Sequence, residues 1–226
     1  MPSSLKPALR AILGASAAAL ALAAPAVAAP TTGPVIQATD ASRSTCEDPK
    51  LGAPYAAIGD ERSYVLAPGG SFEDAAAPGW QLSAGARLDQ DGRSGGQLVL
   101  AAGASAVSPS MCIDLDYPHL RFAHKVTSRH AKGVEIRVDV VYPQVQAADW
   151  VTVGQVSPGA GVPTGAGWRV SPDVALKPEL GGTDWGARDV ALRFTAVKAA
   201  GATETRAAAG AEVRVDDVFI DPRARF

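Results

Sequence analysis

Val134, Ile136, Val138, Val140 and Tyr142 occupy every second position of one stretch, with Glu135, Arg137 and Asp139 between them. No other feature constrains the chain as tightly. Side chains along a strand point alternately to opposite faces, so this spacing puts the apolar groups on one side and the charges on the other. On a helix the same residues would scatter round the axis. The stretch is therefore a strand with one face in a core and one face wet. Leu120, Phe122, His124 and Val126 repeat the pattern with Arg121 and Lys125 outward. Val190, Leu192, Phe194 and Ala196 repeat it again with Arg193 and Thr195 outward.

Short apolar or alternating runs, separated by Gly, Pro, Asp and Ser, fill the rest of the chain. After 63–66, candidate strands fall at 80–88, 97–101, 106–113, 120–126, 134–142, 150–156, 174–176, 190–197 and 212–220. So many strands at this spacing predict an all-β fold, a two-sheet antiparallel β-sandwich. Residues 198–211 are Ala-rich, but Gly201, Gly210 and two Thr make them a long hairpin loop rather than a helix. Residues 156–168, rich in Gly and Pro, read as another loop. From 29 to 60 no period is sustained, and the sequence predicts an extended N-terminal segment ordered mainly near Cys46.

The first 28 residues read as a secretory signal, with Lys6 and Arg10 in the basic region, an apolar run at 11–24 and the cleavage motif Ala26-Val27-Ala28. A spanning helix needs about 20 apolar residues, and this run is shorter and broken by Gly14 and Ser16. The expected product is a secreted, extracellular protein with a single β-domain at 61–226. Losing the two positive charges of the leader takes the formal charge from −2 to −4. Without clustered Lys and Arg, neither nucleic acid nor an anionic membrane is the expected partner. Cys46 and Cys112 are the only cysteines, and in an exported chain an even pair reads as a disulfide. It would tie the N-terminal segment to the strand containing Cys112, worth about 4 kcal/mol in the chain-entropy account.

The two ends of the strand array carry short signatures. Gly69-Gly70-Ser71-Phe72-Glu73, followed after six residues by Trp80, opens it, and Val215-Asp216-Asp217-Val218 closes it. Together they resemble the "N-G-x-F-E … G-W" and "I-D-D-V" segments of galactose-binding-like jelly-roll modules, a group that includes many carbohydrate-binding modules. A leading Cys, "P-G-G-x-F-E" and a C-terminal "D-D-V-x-x-D-P" also resemble exported actinobacterial-type proteins. The jelly-roll resemblance implies a galactose-binding-like sandwich and a structural calcium ion. By position its ligands would be Glu73, Asp216 and the carbonyls of Gly70 and Ser71, the hard oxygens that Ca²⁺ prefers. Pro68 or Gly69 stands where the family has Asn, which removes one possible ligand. The alternative is a solvated bulge at the paired Asp residues, with Glu73 paired to an Arg.

The closing run itself demands a break. If its period continued, Val213, Val215, Asp217 and Phe219 would all face the core and bury a carboxylate. A bulge at Asp216-Asp217 lets Val213, Val215, Val218 and Ile220 share the core instead and brings Asp216 opposite Glu73.

Nothing in the chain spells out catalysis. No G-x-S-x-G elbow, phosphate loop or H-E-x-x-H is present. His119, His124 and His130 are close in sequence, but the strand period puts only His124 on the apolar face, as a satisfied core histidine. Asp114 and Asp116 alternate on one strand, whereas glycosidase carboxylates come from different strands. Binding remains. Trp80 is expected in the core, leaving Trp150, Trp168 and Trp185 beside loops as candidate platforms for a sugar ring. The expectation is a non-catalytic, monomeric module that binds polysaccharide or cell-wall glycan. The alternative is a structural or protein-interaction module.

Overall fold

A computed structural model of the protein describes residues 50–74, 77–90, 95–113, 119–127, 133–141, 150–176, 188–200, 202 and 210–221. Contacts divide the chain into residues 1–32, which include the expected leader and lie outside the described residues, and 33–226, the unit described below. Its strands are β1 (Leu51–Gly52), β2 (Tyr64–Leu66), β3 (Gln81–Leu82), β4 (Ala86–Gln90), β5 (Gly96–Ala101), β6 (Ser105–Val107), β7 (Met111–Ile113) and β8 (His119–Val126). Then follow β9 (Val134–Val141), β10 (Val151–Val156), β11 (Val162–Gly165), β12 (Trp168–Val170), β13 (Val174–Ala175), β14 (Arg188–Lys198) and β15 (Glu212–Asp221).

Two antiparallel sheets form. One has nine strands in the order β1-β2-β15-β8-β12-β11, with β13 also against β8, and with β4 on β5 beside β15. The other has six, in the order β10-β9-β14-β6-β3, with β7 also against β14. The all-β jelly-roll sandwich expected from the sequence is the fold observed. Each of the three clear alternations delivers its apolar face to the core between the sheets. Ile136, Val138, Leu192, Phe194, Leu120 and Phe122 are buried there. Phe122 of one sheet meets Phe194 of the other edge to face, 5.2 Å between centroids. Trp80 is buried as expected, between Phe72 and Phe194, its indole N–H donating to the Pro68 carbonyl at 3.0 Å.

Two strands expected as continuous are each split. The run 80–88 becomes β3 in the six-stranded sheet and β4 in the nine-stranded one, because the chain changes sheet at the Ser83–Ala86 turn. Gly85 there takes φ 87°, a left-handed conformation that glycine adopts freely. The run 106–113 breaks into β6 and β7 at Pro109, which has no N–H for the ladder. Ser108 mends the gap: its N–H donates to Leu192 O and its Oγ accepts the Leu192 N–H at 2.9 Å. The expected loop at 156–168 contains a strand, since Val162–Gly165 pairs with β12. Its Pro163 and Gly165 hid it, and an edge strand is where a proline is tolerated.

Of the segment 29–60, residues 50–60 are described, and the stretch around Cys46 lies outside the described residues. Beyond residue 49 it is ordered as β1 and a 3-10 turn at Ala56–Ile58. Tyr55 packs on Tyr64 and Phe219, with Val170 buried in the same cluster, on the nine-stranded face opposite the core. Asp60 then accepts from Arg62, Arg121 and Tyr64, while Asp173 pairs with both arginines. The Arg62 pairing and the Tyr64 hydroxyl hold the Asp60 carboxyl far below the usual range despite its burial.

Candidate functional site

β15 is gripped on one side by two different strands. Its first half pairs with β5 from Glu212 to Val215, and its second half pairs with β2 at Phe219 and Ile220. Between these lies the expected bulge, a register shift against β8 between Asp216 and Phe219. Asp217 takes φ 48°, so the chain turns over and Val213, Val215, Val218 and Ile220 all reach the core. The opening segment fills the gap. Ala67 N–H donates to Val218 O, and Val218 N–H donates to Gly70 O, both at 2.9 Å. A side chain on Gly70 would run into that Val218 carbonyl.

Glu73 lies over Gly95 and accepts the Gly96 N–H at 3.3 Å. No Arg pairs with it among the described residues. Asp216 is 6% exposed, and its Oδ1 accepts the Asp217 N–H at 2.7 Å. Burial, then the Asp217 charge, with Glu73 adding to them, push the Asp216 carboxyl up to about 8. Three carboxyl groups thus influence one another, that of Asp216 being held neutral at pH 7, with no cationic side chain on Asp216 among the described residues. The all-oxygen surroundings suit a hard cation. Among the described residues no three His, Cys, Asp or Glu side chains form a metal-holding group, so backbone carbonyls would have to complete a shell. That of Gly70 already accepts one hydrogen bond.

A second polar assembly stands on the outer face of the six-stranded sheet. Residues directly opposed in an antiparallel pair share a face. Outward rows therefore run Gln81, Val107, Arg193, Asp139, Thr152 and, one pair along, Ser105, Thr195, Arg137, Gln155. Asp139, expected to be wet, is 1% exposed. It accepts from Arg137 Nε at 3.1 Å, Arg193 Nε at 2.9 Å and Thr152 Oγ1 at 2.6 Å. The Arg193 guanidinium in turn lies 4.5 Å from the Trp150 ring centre. These contacts cover the carboxylate and set the Arg193 guanidinium against the indole. Sequence alone marked Trp150 and the outward charges, but only strand pairing brings Arg193 of β14 onto Asp139 of β9.

The other candidates are dispersed. Trp168 starts β12 in the nine-stranded sheet, so it shares no platform with Trp150; Trp185 lies outside the described residues. His130, Asp114 and Asp116 lie outside them too. His124 is in the core as expected; neither ring nitrogen makes a well-aligned hydrogen bond, and the backbone of Ser157 and Arg169 offers it only weak polar contacts. Cys112 is not a free thiol. It is directly opposite Asp189, with Met111 and Ile113 in the core, so its side chain points to the outer face of the sheet. Cys46 lies outside the described residues.

No protein-family model and no curated protein sequence matches the chain. Solved structures of similar shape include a carbohydrate-binding module, CBM28, specific for non-crystalline cellulose, at 13% identity and TM-score 0.43, covering 69% of this chain and 94% of that one. The xylan-binding module CBM15 follows at 15% and 0.42, covering 64% and 90%. The CBM22-1 xylan-binding domain of Paenibacillus barcinonensis Xyn10C stands at 13% and 0.41, covering 68% and 92%.

Proposed function

We propose that this protein is an exported, non-catalytic module that binds polysaccharide or cell-wall glycan on the outer face of its six-stranded sheet. The observation that carries the reading is the Trp150–Arg193–Asp139–Arg137 assembly. Glycan recognition needs an aromatic surface for the apolar face of a sugar ring and fixed polar groups for its hydroxyls. Arg193 occupies one face of the Trp150 indole, so a ring would stack on the other. Thr152, Gln155 and Ser105 flank it with donors and acceptors on the same face. Among the described residues, exposed large apolar side chains fall one each on β1, β2, β3, β10 and β11 rather than in one patch.

Two supporting features belong to the same proposal. A structural calcium ion at Glu73 and Asp216, completed by carbonyls of Gly70 and Ser71, would neutralise the carboxylates where the opening and closing segments meet. A Cys46–Cys112 bridge would anchor the N-terminal segment on the outside of the six-stranded sheet.

Pull-down of the leaderless protein on a panel of insoluble polysaccharides tests the main reading, with retention expected for at least one polymer and lost in W150A. Retention that is unchanged in W150A, or absent throughout, refutes it. Melting in excess EDTA against millimolar Ca²⁺ tests the ion, and equal midpoints refute it. Thiol titration of the native exported protein tests the bridge, with two reactive thiols refuting it.

A further inference from the structure

We infer that His124 is a latch under the connection from β10 to β11: on taking a proton it lets residues 157–161 lift off the sandwich, which loosens β10 and releases the glycan. The release rests on the glycan-binding reading above, whereas the latch does not. The connection crosses from the six-stranded sheet to the nine-stranded one, with Ser157 and Gly159 exposed, and its Ser157 backbone touches a ring that is itself fully buried. Its own turn is closed locally, Ala160 N–H donating to Ser157 O at 2.9 Å. On the solvent side the Ser157 hydroxyl donates to Glu135 at 2.9 Å. From beneath, Arg169 donates from Nε to Ala160 O at 2.8 Å and from Nη2 to Gly161 O at 2.7 Å. Gly161 lies so close over the Val170 carbonyl that no side chain would fit there.

The neighbours of the ring decide how it answers acid. Arg169 of β12 stands directly opposite it on one side and Val215 of β15 on the other, with Phe122 of its own strand 5.9 Å away. Among the described residues Arg169 is the one charged group that acts on it. Glu135 shares the outer face of β9 with Arg137 and holds the connection from outside. No carboxylate therefore receives an imidazolium, and a proton sets a second cation beside Arg169 in an apolar site, where an unpaired charge is costly. Lifting the connection hydrates the ring and frees the Arg169 side chain to swing into water. It gives up two Arg169 hydrogen bonds and the packing of Ala160 on the core, a local opening that leaves both sheets paired. β10 feels the change because, among the described residues, it pairs with β9 alone and runs into the connection at Val156. Thr152 and Gln155 of the glycan face stand on that strand.

With the ring at about 4 when covered and 6.5 in water, the open form gains about seventyfold on the closed one between pH 7.5 and pH 4.5. Hydrogen exchange of the leaderless protein, read by mass spectrometry and corrected for the intrinsic effect of pH, tests this. Protection across 156–170 should fall more than tenfold at pH 4.5 relative to β14, and should not fall in H124L. A polysaccharide retained at pH 7.5 should be retained several-fold less at pH 4.5 by the parent, and equally at both by H124L. H124Q, neutral at both pH values, serves if H124L does not fold. Unchanged protection at 156–170, a loss shared by both sheets, or the same loss in the neutral variant overturns the latch. A local loss of protection with undiminished retention overturns the release and leaves the binding face standing. Retention of no polymer at either pH overturns the glycan-binding reading and the release with it, and leaves the latch to the exchange data.

Discussion

His124 is where the fold carries an unmet polar group into its core, and replacing it with leucine has a calculable consequence. The ring is fully buried against Phe122 at 5.9 Å, opposite Val215 and Arg169, with neither nitrogen in a well-aligned hydrogen bond. Burial, opposed by the Ser157 backbone and aided by the Arg169 charge, pushes its pKa down from 6.5 to about 4. Between those values the unfolded chain takes up a proton that the folded one does not. Stability is therefore present at neutral pH and lost as pH falls. At pH 4.5 the loss amounts to about 2.5 kcal/mol relative to pH 7.5. Leucine matches the volume, removes the proton and removes two poorly bonded nitrogens, whose burial costs about 1–3 kcal/mol. H124L should thus be more stable than the parent by about 1–3 kcal/mol at pH 7.5, with the gap widening by about 2.5 kcal/mol at pH 4.5. Urea unfolding at both pH values measures it, and carboxylates titrating elsewhere cancel in the difference. Parallel losses in parent and variant would refute the reasoning.

Four more outcomes follow from local geometry and charge. In EDTA, the raised pKa of Asp216 predicts the opposite slope to His124, with stability falling as pH rises from about 4 to about 8. D216N, which retains an acceptor for the Asp217 N–H, should therefore exceed the parent at pH 8.5 by several kcal/mol and match it near pH 4 in urea melts. G96A should cost more than about 3 kcal/mol or prevent folding, because its methyl would meet the Phe72 carbonyl that Gln90 already holds at 2.9 Å. G103A, at a turn with open space but φ 86°, should cost only about 1 kcal/mol. A166G should raise stability by about 0.5–1 kcal/mol, since Ala166 has φ 47° in the β11–β12 hairpin.

The sheets were legible in the sequence because burial on one face writes a period of two, and β8, β9 and β14 carry it without interruption. So was the bulge, since Asp217 on the core face would have been intolerable. Interruptions by Pro109, Gly85 and Pro163 were harder to place. Each can end a strand, divide it between sheets or mark an edge, and the choice depends on long-range pairing. The site was legible only in parts. Outward charges on β9 and β14 were visible as a wet face, but whether Asp139 stays wet depends on which strand lies beside it. Tyr55 was hidden for a related reason: a single aromatic among Ala, Pro and Gly has no period, and its burial comes from Tyr64 and Phe219, distant in sequence.

Tyr55 also bears on which face of the sandwich can serve a ligand. Both outer faces carry arginines, aspartates and aromatic rings, so composition does not choose between them. On the nine-stranded face the chain has used these groups on itself. Asp60 and Asp173 answer Arg62 and Arg121 two against two, and Tyr55 reaches across to donate its hydroxyl to Asp217 O at 3.1 Å. A ligand there would have to displace a covered aromatic cluster and open a closed set of ion pairs, with the penalties that attend buried charge. On the six-stranded face two arginines share one aspartate, and Arg137 keeps hydrogen-bonding capacity beside a cavity. The asymmetry lies in what remains unsatisfied after folding, and it is why the six-stranded face, with Trp150 at one end and Arg137 at the other, is the one that can still gain from a partner.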